Sequence, residues 1–259
     1  GVSAAEAFVT RNENLSLRLY RDAVDSLRHA TTSGLGLRLI NEQRPGYAFT
    51  SDLSSSGLTQ LVIDCLENAR YSQPDPELSF PEPGSPAPEM HELHHPEFRS
   101  FTLDQKIDVL REIESAAMDE DPRVTHILRN HFGEDLTEVA VVNSEGIRAT
   151  YSTTMTYAWV ELMAEGEGSN QTGNSFTCGR ALSELDPRQV GMEAAEQACS
   201  LLGARPVKTT RVPVVIAPKA AINILSQIAQ MLSAEAVQKG RSLFRDLLGQ
   251  QIAAPIIDV

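Results

Sequence analysis

Apolar residues alternate at period two through the first forty positions: Phe8-Val9, then Leu15, Leu17 and Leu19, then Leu35, Leu37 and Leu39. Successive side chains of a strand point to opposite faces, so this spacing predicts antiparallel strands with one apolar face. Arg44-Pro45-Gly46-Tyr47 carries turn chemistry between Leu39 and Phe49. At Leu58 the period lengthens. Leu58, Leu61, Val62, Cys65, Leu66 and Ala69 recur at three- and four-residue steps, which predicts a helix over 58–69. The first unit is a hairpin followed by a helix.

From Gln73 to Pro96 the pattern is lost, and seven of the chain's fourteen prolines crowd into the stretch. Proline locks φ and lacks an N–H, so this reads as an extended linker or surface arm. A second helix is predicted from a Thr102 cap through Leu103, Ile107, Leu110, Ile113 and Ala117, closing at Asp119 to Pro122. Its Lys106, Arg111, Glu112 and Glu114 read as a solvated face. Three strand candidates follow, Val124 to Phe132, Glu138 to Val142 and Ile147 to Met163, with Asn143-Ser144-Glu145-Gly146 as a hairpin turn. Gly166 to Gly179 reads as a glycine-rich hairpin tip. A helix with Pro187 in its first turn then runs to Leu202. Hairpin then helix thus occurs twice, the order expected of a duplicated α+β unit.

The last stretch changes character again. Val212 to Ala217 is a β-branched run that predicts a strand, and Ile222, Leu225, Ile228, Ala229, Leu232 and Ala236 predict a helix after Pro218. Lys239-Gly240 supplies a stop, and Ser242 to Leu248 forms a second amphipathic piece. The fold class is therefore α+β: antiparallel sheet-and-helix units over 1–72 and 101–205, an arm over 73–100, and a further domain beginning at 206–259.

Composition removes several functions. A net charge of −13 lacks the clustered Lys and Arg that phosphate binding requires, so nucleic acid is not an expected partner. No stretch is long and apolar enough to span a bilayer, and Gly1-Val2-Ser3 has no basic-then-apolar signal pattern, which points to the cytoplasm and to no membrane. Cys65, Cys178 and Cys199 are odd in number and scattered, with no Cys-x-x-Cys pair; Cys65 and Cys199 fall in helical apolar patterns and read as small buried hydrophobes.

Two motifs invite chemistry and fail on context. His91-Glu92-Leu93-His94-His95 matches His-Glu-x-x-His, a zinc-protease pattern that works only on a continuous helix. Pro88 and Pro96 flank it, and the residue before proline avoids helical angles. The glycines at 166, 168, 173 and 179 lack the Gly-Lys-Ser/Thr ending of a phosphate loop. His126 and His131, five apart in a strand, are expected on opposite faces, unable to share an ion.

Ala234-Glu235-Ala236-Val237-Gln238-Lys239-Gly240-Arg241-Ser242 and Leu202-Gly203-Ala204-Arg205-Pro206-Val207 resemble segments of the TldD/PmbA family. One subunit type of that family carries His-Glu-x-x-x-His on a zinc-protease helix. Here Ala234 and Lys239 stand at the histidine positions and only Glu235 remains. Alanine has no lone pair and an ammonium repels a metal, so this helix is expected to hold no zinc. Residues five apart on a helix also sit about 140° apart around the axis. Glu235 then reads either as a residual acid at a former catalytic position, with no metal-polarised water to act on, or as a solvated helix residue beside Lys239 at the favourable four-residue spacing.

The resemblance is to the non-metal TldE (PmbA) subunit. It implies that this chain carries no catalytic or cofactor residue, that zinc resides in a TldD-like partner, and that the pair acts on small or unfolded peptides. It also implies that family members continue well past Val259 as a mostly β domain. The family's old label, modulator of DNA gyrase, finds no DNA-binding residues here. Two alternatives remain at this stage: a stand-alone metallopeptidase using His91 and His95 or an unrecognised site, and a homodimeric peptide-binding adaptor.

Overall fold

The computed structural model describes residues 2–84 and 92–257. Two compact units divide the chain, 1–204 and 205–259. The first is an α+β unit built on one antiparallel six-stranded sheet: β1 (Val2–Tyr20), β2 (Ala23–Asn41), β3 (Arg44–Thr50), β4 (Val124–Asn143), β5 (Arg148–Gly166) and β6 (Ser169–Gly179). Their order is β3-β2-β1-β4-β5-β6. Two meanders, β1-β2-β3 and β4-β5-β6, therefore meet through the antiparallel β1/β4 pair, and each is followed by a helix.

Tight turns make this possible. Arg21-Asp22 and Glu42-Gln43 all have positive φ, the two-residue geometry whose twist matches paired strands. The second of these corrects the expected turn at Arg44 to Tyr47: those residues are strand. Pro45 is tolerated because β3 is an edge strand that bonds only to β2. The expected break inside β4 is also absent. Gly133 continues the strand because the Tyr157 ring covers it, and a Cβ there would meet the ring at 2.3 Å. The glycine-rich segment holds a turn at Glu167-Gly168 and then the strand β6.

Three helices cover one face of the sheet. α1 (Ser55–Tyr71) starts at Ser54, whose side chain accepts from the Gly57 N–H, and buries Leu61, Cys65 and Ala69 against Leu39 and Ala48. α2 (Leu103–Glu120) begins with a complete capping box between Thr102 and Gln105. α3 (Pro187–Ser200) carries proline in its first turn and is capped by Asp186. Together α2 and α3 bury Leu110, Ile113, Val190 and Ala194 on Leu17, Phe132, Ala158, Val160 and Leu162. Full burial of each large side chain contributes about 1.5–3 kcal/mol.

The unit over 205–259 contains α4 (Pro218–Met231) and α5 (Ala234–Gln238). Its expected strand at Val212 to Ala217 has no pairing partner among the described residues, and the run is exposed, Val215 almost completely. β-branched residues favour a pleated surface only where a neighbouring strand supplies bonds and packing. Ser242 to Leu248 forms turns rather than a helix. The single helix expected to run on past Ala236 is two: Ser233 leaves helical angles and accepts from the Ala236 N–H, starting α5 afresh.

Candidate functional site

Glu235 on the short α5 and Lys239 at its C-terminal cap stand with 2.5 Å between carboxylate and ammonium, and both are largely exposed. The hydrogen bond from Lys239 holds the Glu235 carboxyl below the usual carboxylate range. α5 ends in a two-bond glycine cap. Gly240, at φ +67°, donates to the Val237 carbonyl, and Arg241 donates to the Ala236 carbonyl at 2.8 Å. A cleft of about 480 Å³ runs beside it, lined by Gln227, Gln230, Met231, Ser233, Glu235, Ala236, Lys239 and Arg241.

The donors present do not fit zinc. Ala234 offers no lone pair, Lys239 is a cation already engaged by Glu235, and the cleft wall adds amides and a guanidinium. Among the described residues no group of three His, Cys, Asp or Glu side chains is placed to hold a metal. No hydrolytic step can therefore be derived through a metal at α5.

The His-Glu-x-x-His segment is not a helix where it is described. Glu92 has φ +66°, a left-handed conformation that ends any helical run, and His91 lies outside the described residues. His94 is exposed. The His95 N–H donates to Thr154 Oγ1, and its Nδ1 accepts from the Glu97 N–H at 3.2 Å, so His95 pins the arm to β5. The Thr154 N–H donates to the Leu93 carbonyl, which satisfies β5 beyond the end of β6.

His126 and His131 do not face opposite sides. An extra residue between Ile127 and Arg129 slips the β4/β5 register, so His126 opposes Met163 while His131 opposes Trp159. Both partners lie on the helix-free face. The four-residue separation of those partners places the histidines about 13 Å apart, too far to share an ion.

His131 belongs to a cluster that sequence reasoning missed. It stacks on Tyr157 and Trp159 with ring centroids 5.9 and 5.6 Å away, and its Nε2 lies 3.0 Å from Ser16 Oγ. Beside it Met155, Tyr157, Trp159, Phe176 and Cys178 line a second shallow cavity of about 480 Å³. Burial, and then the Arg18 charge, push the His131 pKa down. Among the described residues its buried Nδ1 has no hydrogen-bond partner, so no carboxylate there orients the ring and Ser16 has no activated base. The available signal was the period-two aromatic pair Tyr157 and Trp159.

A buried polar row crosses the helix-covered face. The Lys106 ammonium lies 2.5 Å from Glu134 Oε2, and Glu134 pairs in register with Thr156. This corrects Lys106 as a solvated residue: it is buried. Cys65 and Cys199 are buried as expected, whereas Cys178 is exposed.

Profiles of the PmbA/TldA metallopeptidase family match this chain in three pieces: domain 1 over residues 5–69, the central domain over 96–202 and the C-terminal domain over 209–259. The metalloprotease PmbA of Escherichia coli O157:H7 is 27% identical over 252 residues, covering 96% of this chain and 55% of that protein. The metalloprotease PmbA homolog of Haemophilus influenzae is 25% identical over 254 residues, covering 96% and 56%. This chain spans about half the length of the curated relatives it matches.

Among solved structures, a Thermotoga maritima protein named for modulation of a DNA gyrase superposes with a TM-score of 0.88 at 21% identity, over 97% of this chain and 57% of that one. TldE from Thermococcus kodakarensis superposes at 0.82 and 18% identity, over 94% and 55%. At such identities these two speak for the fold. With all three domain profiles matched in order along its length, the chain belongs to the PmbA/TldD metallopeptidase family.

Proposed function

We propose that this chain is a TldE/PmbA-like, non-catalytic subunit that pairs with a zinc-bearing TldD-like subunit, and that the pair processes or degrades small or unfolded peptides. One observation carries the reading. At the positions of the family's zinc-protease helix the side chains are Ala234, Glu235 and Lys239, and Lys239 neutralises the one acid that remains. The chemistry then belongs to the partner. This chain supplies subunit interface and backbone edges that an extended peptide can join. Its three free thiols suit a reducing compartment, the cytoplasm.

The test is co-expression with the TldD-like protein of the same organism. A stable complex that cleaves an unfolded peptide, with zinc at one ion per pair and full sensitivity to chelators, supports the reading. Chelator-sensitive cleavage by this chain alone overturns it, and so does failure of the two chains to associate.

A further inference from the structure

Charge is divided unevenly along the sequence. Residues 205–259 contain seven Lys and Arg against three Asp and Glu, a net +4; the whole chain carries −13, so residues 1–204 carry −17. Such asymmetry marks the basic part as the one suited to acidic ligands. Two of its cations, Lys239 and Arg241, line the cleft beside α5. Glu235 neutralises Lys239, which leaves the Arg241 guanidinium as the cation with no ion partner among the described residues.

The backbone places Arg241 firmly. Gly240 adopts the left-handed angle that an L side chain resists, and the Arg241 N–H closes the cap on Ala236. The α4 wall carries Gln227, Gln230 and Met231 and no acid, and the one acid that lines the cleft, Glu235, is engaged by Lys239. The Ile228, Ala229 and Gln230 carbonyls at the end of α4 already accept from Leu232 and Ser233, so the wall offers the Gln227 and Gln230 amides. A volume of about 480 Å³ lies within the range of small-ligand sites.

We propose that this cleft reads a carboxylate: Arg241 takes both oxygens of a carboxylate on an acidic peptide, while Gln227 and Gln230 bond the adjoining peptide groups. A planar guanidinium matches a carboxylate fork. Nucleic acid fits less well, because a phosphate backbone needs several free cations in a row and the remaining 204 residues repel a polyanion. The inference rests on the reading of this chain as a peptide-handling subunit, and it is tested without the partner.

The probes are fluorescein-labelled short peptides added to the full chain and followed by anisotropy at low and physiological salt. One is Glu-rich with an amidated end, one is its Gln isostere with an amidated end, and one is the Gln isostere with a free C-terminus. A carboxylate-bearing peptide is expected to bind about tenfold tighter than the amidated Gln peptide. Whether the Glu-rich or the free-ended peptide shows it identifies the side chain or the terminus as the source.

Arg241→Gln, an exposed change, removes the difference, and Arg241→Lys keeps part of it, since an ammonium cannot take both oxygens. The proposal is overturned if no peptide binds or if neither carboxylate improves binding. It also falls if Arg241→Gln keeps the preference, or if a thymidine oligonucleotide binds tighter than the acidic peptide. An Arg241-dependent preference in a chain that fails to pair with the zinc subunit sinks the proposed function and leaves this site standing.

Discussion

Lys106 on α2 and Glu134 on β4 meet 2.5 Å apart beneath the helix layer, with 11% and 5% of their side chains exposed. Burial raises the Glu134 pKa, and the Lys106 hydrogen bond and charge oppose that rise. Among the described residues Glu134 Oε1 and Thr156 Oγ1 are both buried without partners, and the two residues are direct cross-strand neighbours. Removing one ion of such a pair strands the other. Lys106→Met is expected to cost about 3–5 kcal/mol, and adding Glu134→Leu to recover most of it. Urea unfolding of the two single variants and the double variant checks this; a double variant as unstable as the sum of the singles refutes the coupling.

His131 sets a pH limit. Its folded pKa is depressed from the ordinary 6.5 by burial and by Arg18, with Ser16, Tyr157 and Trp159 as its other neighbours. The unfolded chain therefore binds the proton more readily. Stability from this group is complete above pH 6.5 and is lost as pH falls toward the folded value. His131→Phe should flatten that part of the stability profile, measured as urea midpoint between pH 7 and pH 5. An unchanged slope there refutes the assignment.

Gly191 lets α3 lie directly on α2. A Cβ at this position would stand 2.4 Å from the Ile113 carbonyl and 2.8 Å from the Ala117 nitrogen, both backbone atoms that cannot turn aside. Gly191→Ala should cost about 1–3 kcal/mol despite alanine's better helix propensity. Gly84, with nothing within 4 Å, serves as the control, and its alanine variant should leave the thermal midpoint unchanged.

Gly240 holds the end of α5. Forcing an L side chain into its left-handed angle costs about 1–2 kcal/mol. Gly240→Ala should therefore speed amide exchange at Gly240 and Arg241 by roughly tenfold, with the sheet unit unaffected. Lys239→Ala, by contrast, removes only an exposed pair, and no change in thermal midpoint is expected.

Much of this was legible in residue order. The period-two leucines of β1 and β2, the Thr102 cap and Pro187 in the first turn of α3 are local signals that survived folding. Others were overruled by neighbours. Arg44-Pro45-Gly46 reads as a turn, yet Glu42-Gln43 makes the reversal, because the Cys65 carbonyl of α1 needs the space that only Gly46 leaves. Lys106 reads as solvated until β4 is seen to bring Glu134 beneath it. The Ser233 break in the predicted long helix depends on a side-chain bond that spacing alone does not reveal.

What residue identity alone determined is chemistry: the Ala234 methyl has no lone pair for a metal in any fold, and a lysine ammonium at position 239 has none either. What tertiary structure decided is company. A bulge at Leu128 turned His126 onto the face of His131, and a glycine cap set Arg241 in a cleft lined by the Gln227 and Gln230 amides. Donor chemistry is a property of one side chain, whereas burial, pairing and register belong to strands that lie far apart in sequence. They exist only once the sheet has formed.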